Sequence, residues 1–435
     1  MALNREILRI ALPSIVSNIT VPLLGLVDVA ITGHLGAKVY LGAIAVGGML
    51  FNVIYWMFSF LRMGTSGLTA QAYGRQSPHD IMDQLARGTV VALALSMLLV
   101  LLQTPVSQLA LHLIDPSEEV RRLAALYFRI CIWGAPAALL LFVFSGWYVG
   151  MQNSRLPMWV AVVQNVSNIL LSLVFVFGCD MGLRGVALGT VAAQYAGLLT
   201  AVVLWWWHYR RFLPVLSWHT ALDVGAMLSF FNLNKDLFLR TLCLIAIHFY
   251  FIAAGASLGD TALAVNTMLM QLFTLYSYIM DGFACAGEAI VGRAVGAGNT
   301  RLHRMTVGRL FLWGGLMVVL FTAAYGLGGR SFLSLLSNNT DVVQAAEVYQ
   351  PWTLLIPLCS VATFIWDGIF IGETDTRGML LATAVGMTTF FILYWWWGPL
   401  YGNHGLWAAF LCYLFVRGLT QTLYKRPWIT QGKKG

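Results

Sequence analysis

Charge is what this chain has least of. Only 10% of its 435 residues are Asp, Glu, Lys or Arg, and 59% are hydrophobic. A soluble domain carries about a quarter of its residues as charges. That excludes a soluble enzyme or binding module as the bulk of the chain. Cysteine chemistry is missing too. Cys131, Cys179, Cys243, Cys285, Cys359 and Cys412 stand singly, mostly inside apolar runs, with no metal-ligand spacing. A disulfide framework and a zinc site are both unexpected. There is no phosphate-binding glycine loop and no GxSxG or HExxH element, so nothing supports ATP hydrolysis or hydrolase chemistry by this chain. His248 is the clearest histidine inside an apolar run, and no second histidine lies at ligand spacing. No cofactor is therefore expected. A cleavable signal peptide is also lacking, because the run after Arg5 and Arg9 is too long for one.

What is present is a series of apolar runs, each near the twenty residues that cross a bilayer as a helix. They do not alternate apolar and polar residues as barrel strands do. The chain reads as an all-α polytopic membrane protein with twelve spans: 8–32, 39–62, 84–106, 123–149, 156–178, 184–207, 230–256, 261–287, 305–327, 347–371, 378–398 and 404–424. With the N-terminus inside, sixteen basic residues fall on the cytoplasmic side and five on the other. This bias predicts two cytoplasmic termini. It also assigns the net charge of +8 to topology and lipid headgroups, with no nucleic-acid partner. Trp205–Trp206–Trp207 and Trp395–Trp396–Trp397 read as interfacial belts.

A repeat lies beneath these runs. SGWYVGMQNSR from Ser145 matches DGIFIGETDTR from Asp367, pairing Gly146 with Gly368, Gly150 with Gly372 and Arg155 with Arg377 at one offset of 222. Ala72 and Gly74 match Ala294 and Gly296 at the same offset. Such register argues for internal duplication. Six spans per copy return the chain to its starting side, so the copies are parallel repeats forming two six-helix lobes. The expected domains are 1–207, a cytoplasmic linker 208–229, and 230–435.

The few polar residues inside the spans are the functional candidates. Asp28 has no charged neighbour between Arg9 and Lys38. A charge at membrane depth costs about 2.5–3.5 kcal/mol on the lenient scale. Such a group is kept when paired, solvated or neutralised by a proton. Ser14, Asn18, Gly25, Asp28 and Thr32 share one helical face of roughly 80°. Pro13 and Pro22 invite a bend in the same span. A tolerated kink with a packed polar face is the structural alternative. Gln164, Asn165, Asn168 and Ser172 line one face of span 5, and Thr190 and Gln194 lie one turn apart on span 6. In the second copy, Asp236 and Arg240 stand i, i+4 and read as a structural ion pair. Tyr278 and Asp281 lie on one face of span 8, with Glu288 near its cytoplasmic end where water reaches it. Asp367 lies deep in span 10. Arg417 and Gln421 share a face of span 12, where the arginine reads as snorkelling.

PLLGLVDVAITGHLG, SGLTAQAYG, YIMDGFACAGEA and the two G-x-x-x-G-x-x-x-x-R segments together resemble the multidrug and toxic compound extrusion (MATE) family, most closely its DinF subfamily. The resemblance implies a cation-coupled antiporter that exports organic, often cationic, compounds from the bacterial cytoplasmic membrane. It implies that Asp28 is the protonation site, and that Asn168 and Thr190 belong with it. Where the family has a second acid on span 5 this chain has Ser172, which favours proton over sodium. Pro13 matches a proline at which relatives bend, and Asp367 an acidic position implicated in other subfamilies. Gln194, Tyr278, Asp281 and Asp367 are the further cavity or coupling candidates. A monomer is expected. A lipid or glycan-lipid flippase is the rival, kept open by Arg62 and Arg240; a sodium-coupled exporter is the other alternative.

Overall fold

A computed structural model describes the backbone of residues 2–33, 38–114, 116–336 and 340–431. Side chains at 21–26, 28–30, 32–38, 113, 330, 335–336, 340 and 426–431 lie outside the described set. Among the described residues all regular structure is helical. In chain order the helices are α1 (Ala2–Gly33), α2 (Lys38–Phe58), α3 (Phe60–Gly74), α4 (Pro78–Leu101), α5 (Gln103–Ile114), α6 (Glu118–Cys131), α7 (Ala135–Gly150), α8 (Arg155–Leu173), α9 (Gly182–Tyr209), α10 (Trp218–Ala221), α11 (Val224–Ser257), α12 (Asp260–Gly296), α13 (Thr300–Leu336), α14 (Thr340–Glu373), α15 (Thr376–Tyr401) and α16 (Asn403–Gln431).

Eleven described stretches are long and apolar enough to cross a membrane, and α1 carries the remaining apolar run. These are the twelve expected spans. Several outrun their apolar windows. At 37 residues, α12 is about 55 Å long against a hydrocarbon core of about 30 Å. Hydropathy sees only the part in lipid, while backbone hydrogen bonding carries the helix onward into water. Local chemistry sets the helix starts. Ser77 Oγ accepts from Asp80 N at 3.3 Å ahead of Pro78, and Asp375 accepts from Gly378 N at 3.2 Å. Both are N-caps that satisfy an otherwise orphaned amide.

The duplication extends to backbone conformation. Left-handed φ values occur at Gln76 and Gly298 and at Gln152 and Thr374, each pair 222 residues apart, and at Gly182 and Gly402, 220 apart. Glycine contacts recur as well. A Cβ on Gly150 would stand 2.8 Å from Ser66 O, and one on Gly372 would stand 3.0 Å from Glu288 O. Gly146 meets Arg62 O and Gly368 meets Ala284 O in the same way. At these crossings only glycine lets two helix backbones approach so closely.

By packing, the chain divides into two compact units, residues 16–234 and residues 1–15 with 235–435. Each unit includes the opening turns of the other copy's first helix. In the first unit Gly64 packs on Asn234, with a Cβ placed 3.1 Å from Asn234 Nδ2; in the second Gly282 packs on α1, with a Cβ placed 2.9 Å from Ala11 O. The segment read as a linker is ordered within the first unit. Arg87 on α4 donates to Ala221 O at 2.7 Å and Thr220 O at 3.0 Å, capping the carbonyl end of α10. Asp83 holds both Arg87, at 3.3 Å, and the Thr220 hydroxyl, at 3.4 Å.

Candidate functional site: two polar centres within the spans

The first unit gathers a neutral centre on α8 and α9. Asn168 Nδ2 donates to Thr190 Oγ1 at 3.2 Å, and Thr190 Oγ1 donates to Val186 O at 3.1 Å. Ser172, one turn beyond Asn168, is fully buried against Gly189, where a Cβ would stand 2.9 Å from Ser172 N. The structure thus brings Asn168, Ser172 and Thr190 together. Asn168 Oδ1 and Ser172 Oγ make no hydrogen bond among the described residues. Directly after Ser172, α8 relaxes into a π-helical turn, Val174–Gly178, an irregularity frequent at functional positions. Gln194 is buried one turn along α9, packed against Gly134. Asn165 donates to Thr20 O at 3.3 Å, tying α8 to α1.

Asp28 lies within α1, but its side chain, like that of Pro22, is outside the described residues. α1 is assigned as one helix through Pro13, with Ser14 Oγ bonded to Ile10 O at 3.0 Å.

The second unit gathers an ionic centre. Arg240 Nη2 and Arg417 Nη2 both donate to Asp367 Oδ2, each at 2.5 Å. Gln421 Nε2 donates to Asp367 Oδ1 at 2.8 Å. Arg417 Nη1 donates to the Tyr413 hydroxyl at 3.3 Å. Asp367 is 7% exposed, Arg417 3% and Gln421 0%.

Three readings change. Arg240, expected from its spacing to serve Asp236, forms its ion pair with Asp367, 127 residues away; Asp236 accepts from Thr376 Oγ1 at 3.1 Å instead. Sequence spacing gives neighbours along one helix and is blind to a better partner on another. Arg417, read as snorkelling, is buried and paired with Asp367. Glu288, read as solvated, is 1% exposed. Tyr278 and Asp281 are partly buried and interact with each other on α12; neither is among Asp367's partners. Asp367 is thus held by two guanidinium groups and one amide.

A further ionic cluster escaped the sequence reading. His303 meets Glu373 at 2.7 Å, and Lys425 meets Glu373 at 2.5 Å and Asp375 at 2.6 Å. It joins the ends of α13, α14, α15 and α16. Its members lie dozens of residues apart, so no local motif announces it.

Known proteins share this architecture. The MatE family model matches twice, over residues 13–174 and 237–396, once per copy of the repeat. DNA damage-inducible protein F of Escherichia coli (strain K12) is 37% identical, covering 98% of this chain and 93% of that protein. A probable multidrug resistance protein NorM of Idiomarina loihiensis is 22% identical, over 95% and 92% respectively. Among solved structures, a MATE crystal structure in the bent conformation superposes with a TM-score of 0.86 at 19% identity, covering 99% of this chain and 96% of the other.

Proposed function

This chain belongs to the MatE family, and on that premise we propose that it is a proton-coupled exporter of small organic compounds, working by alternating access. Members of this family are transporters and not enzymes, and this one is a multi-pass membrane protein. Relatives named as multidrug resistance proteins support the substrate class, and the Escherichia coli relative supports the bacterial inner membrane. The reading includes cytoplasmic termini, a monomer, and lobes at 1–207 and 230–435 joined by 208–229.

One observation carries the coupling step. Asn168 Oδ1 and Ser172 Oγ are buried acceptors without a hydrogen bond among the described residues. Buried polar groups of that kind are rare and call for a partner. A protonated carboxyl on Asp28 supplies one, since it donates where a carboxylate cannot. Ser172 in place of a second acid leaves the centre without the fixed negative charge that favours a metal cation. Proton uptake by Asp28 from outside displaces substrate outward, and release inside resets the cycle. Pro13 and Pro22 provide positions at which α1 lacks backbone donors and can bend.

The test is uptake of a fluorescent organic cation into vesicles after a pH jump or a sodium jump. A pH jump should drive transport and a sodium jump should not. Asp28→Asn should abolish proton-driven transport while the protein stays folded. Full transport by that variant sinks the proposal.

A further inference from the structure

We propose that the segment between α9 and α11 is a membrane-surface element that binds anionic phospholipid of the leaflet beside it. It rests on the reading above only in calling that leaflet cytoplasmic. Contacts within the first unit fix the level of the segment. Tyr209, where α9 ends, packs on Trp147, whose indole donates to Ile81 O at 2.9 Å. Thr220 and Ala221 are held by Arg87, six residues or about 9 Å further along α4. Arg87 lies in the first turn of the apolar run 84–106. The segment therefore runs back toward the apolar layer instead of out into water. Trp205–Trp206–Trp207 directly precede it, as an interfacial belt does.

Its two faces differ. Ala221 is buried beside Arg87, whereas Trp218 and Leu222, one helical turn apart, are 55% and 43% exposed. Leu213 and Val224 are exposed as well. Exposed apolar side chains within a span meet lipid tails. These lie outside the spans, where a membrane interface is what covers them. Arg210 and Arg211 are exposed in the same segment, and neither has an acidic partner among the described residues. No Asp or Glu occurs between Asp180 and Asp223, and Asp223 caps α11 by accepting from Ala226 N at 3.1 Å. Apolar side chains with two arginines and no competing acid suit a lipid whose headgroup is negative. A neutral lipid answers only the apolar half, and a soluble polyanion only the arginines.

The full-length protein is placed in nanodiscs of phosphatidylcholine, or of phosphatidylcholine with phosphatidylglycerol, and amide hydrogen exchange is followed over residues 208–224. Both faces of such a disc carry the same lipid, so the outcome depends neither on the proposed topology nor on transport. Each arginine at an anionic surface contributes about fivefold to binding, so the anionic lipid should slow exchange on the order of tenfold. Raised salt should remove most of that slowing. The double variant Arg210→Gln, Arg211→Gln should exchange alike in both discs. Trp218→Ser should exchange faster than wild type in both. Equal wild-type exchange in the two lipids overturns the proposal. So does slowing that survives the double substitution or raised salt, or a serine variant that exchanges like wild type.

Discussion

The two copies of the repeat share a backbone and differ in their glue. Left-handed corners and glycine crossings recur from copy to copy. At equivalent places in the spans, the first copy has the neutral Asn18, Ser145 and Gly197 where the second has Arg240, Asp367 and Arg417. At the helix ends that carry His303, Glu373, Asp375 and Lys425, the first copy has Ile81, Met151, Asn153 and Trp205. There the Trp147 indole donates to Ile81 O at 2.9 Å, Asn153 donates to the Tyr209 hydroxyl at 3.4 Å, and Trp147 packs edge-on to Tyr209 at 4.8 Å. Aromatic packing in one copy does what ion pairs do in the other. The fold therefore resides in close backbone contacts and corners, and the side chains between them were free to diverge in chemistry.

The sharpest way to break this contrast is to truncate one polar residue in each centre. Arg417→Ala removes one charge-assisted hydrogen bond from a buried carboxylate that keeps Arg240 and Gln421, and should cost about 1.5–3 kcal/mol, read by denaturant unfolding in detergent. Asn168→Ala, in the neutral centre of the first copy, should cost about 1 kcal/mol, in the range of a single lost hydrogen bond. Similar losses at both would mean the charges are ornament. Next, Gly146→Val and Gly368→Val push a side chain into a facing backbone and should each lose about 1–3 kcal/mol or more; unequal losses would mean the crossings are not equivalent. Third, Trp147→Phe should cost about 1 kcal/mol regardless of salt. Lys425→Met should cost a similar amount at low salt and less at high salt, because partly exposed pairs are screened. The smallest effect concerns the corners. Gln152→Gly and Thr374→Gly should each stabilise by roughly 0.5–1 kcal/mol, relieving a left-handed residue that carries a Cβ.

Much of the fold was legible in the sequence. Apolar run length gave the spans, and the glycine register gave the duplication that the backbone angles repeat. The neutral centre was legible as helical faces: Asn168, Ser172 and Thr190 lie where a wheel puts them, and they do meet. The ionic centre was not. A wheel shows which face Arg417 and Gln421 share, but it does not show which helix that face meets. The i, i+4 rule offered Arg240 a partner that loses to Asp367 in three dimensions. The corners at Gln152 and Thr374 were hidden for another reason, since residues with a Cβ give no left-handed signal of the kind glycine gives.

The exchanged helix openings bear on how the protein is made. Residues 1–15 find their packing partner around Gly282 only when most of the chain exists. At a synthesis rate of 5–20 residues per second, that wait is roughly 15–50 s. The ribosome-bound first half must hold the start of its first helix unburied through that interval. The first unit is likewise unfinished until Asn234 arrives to cover Gly64. A fragment cut at residue 207 is therefore not half a transporter: it lacks its own last packing piece and carries one that belongs to the absent half.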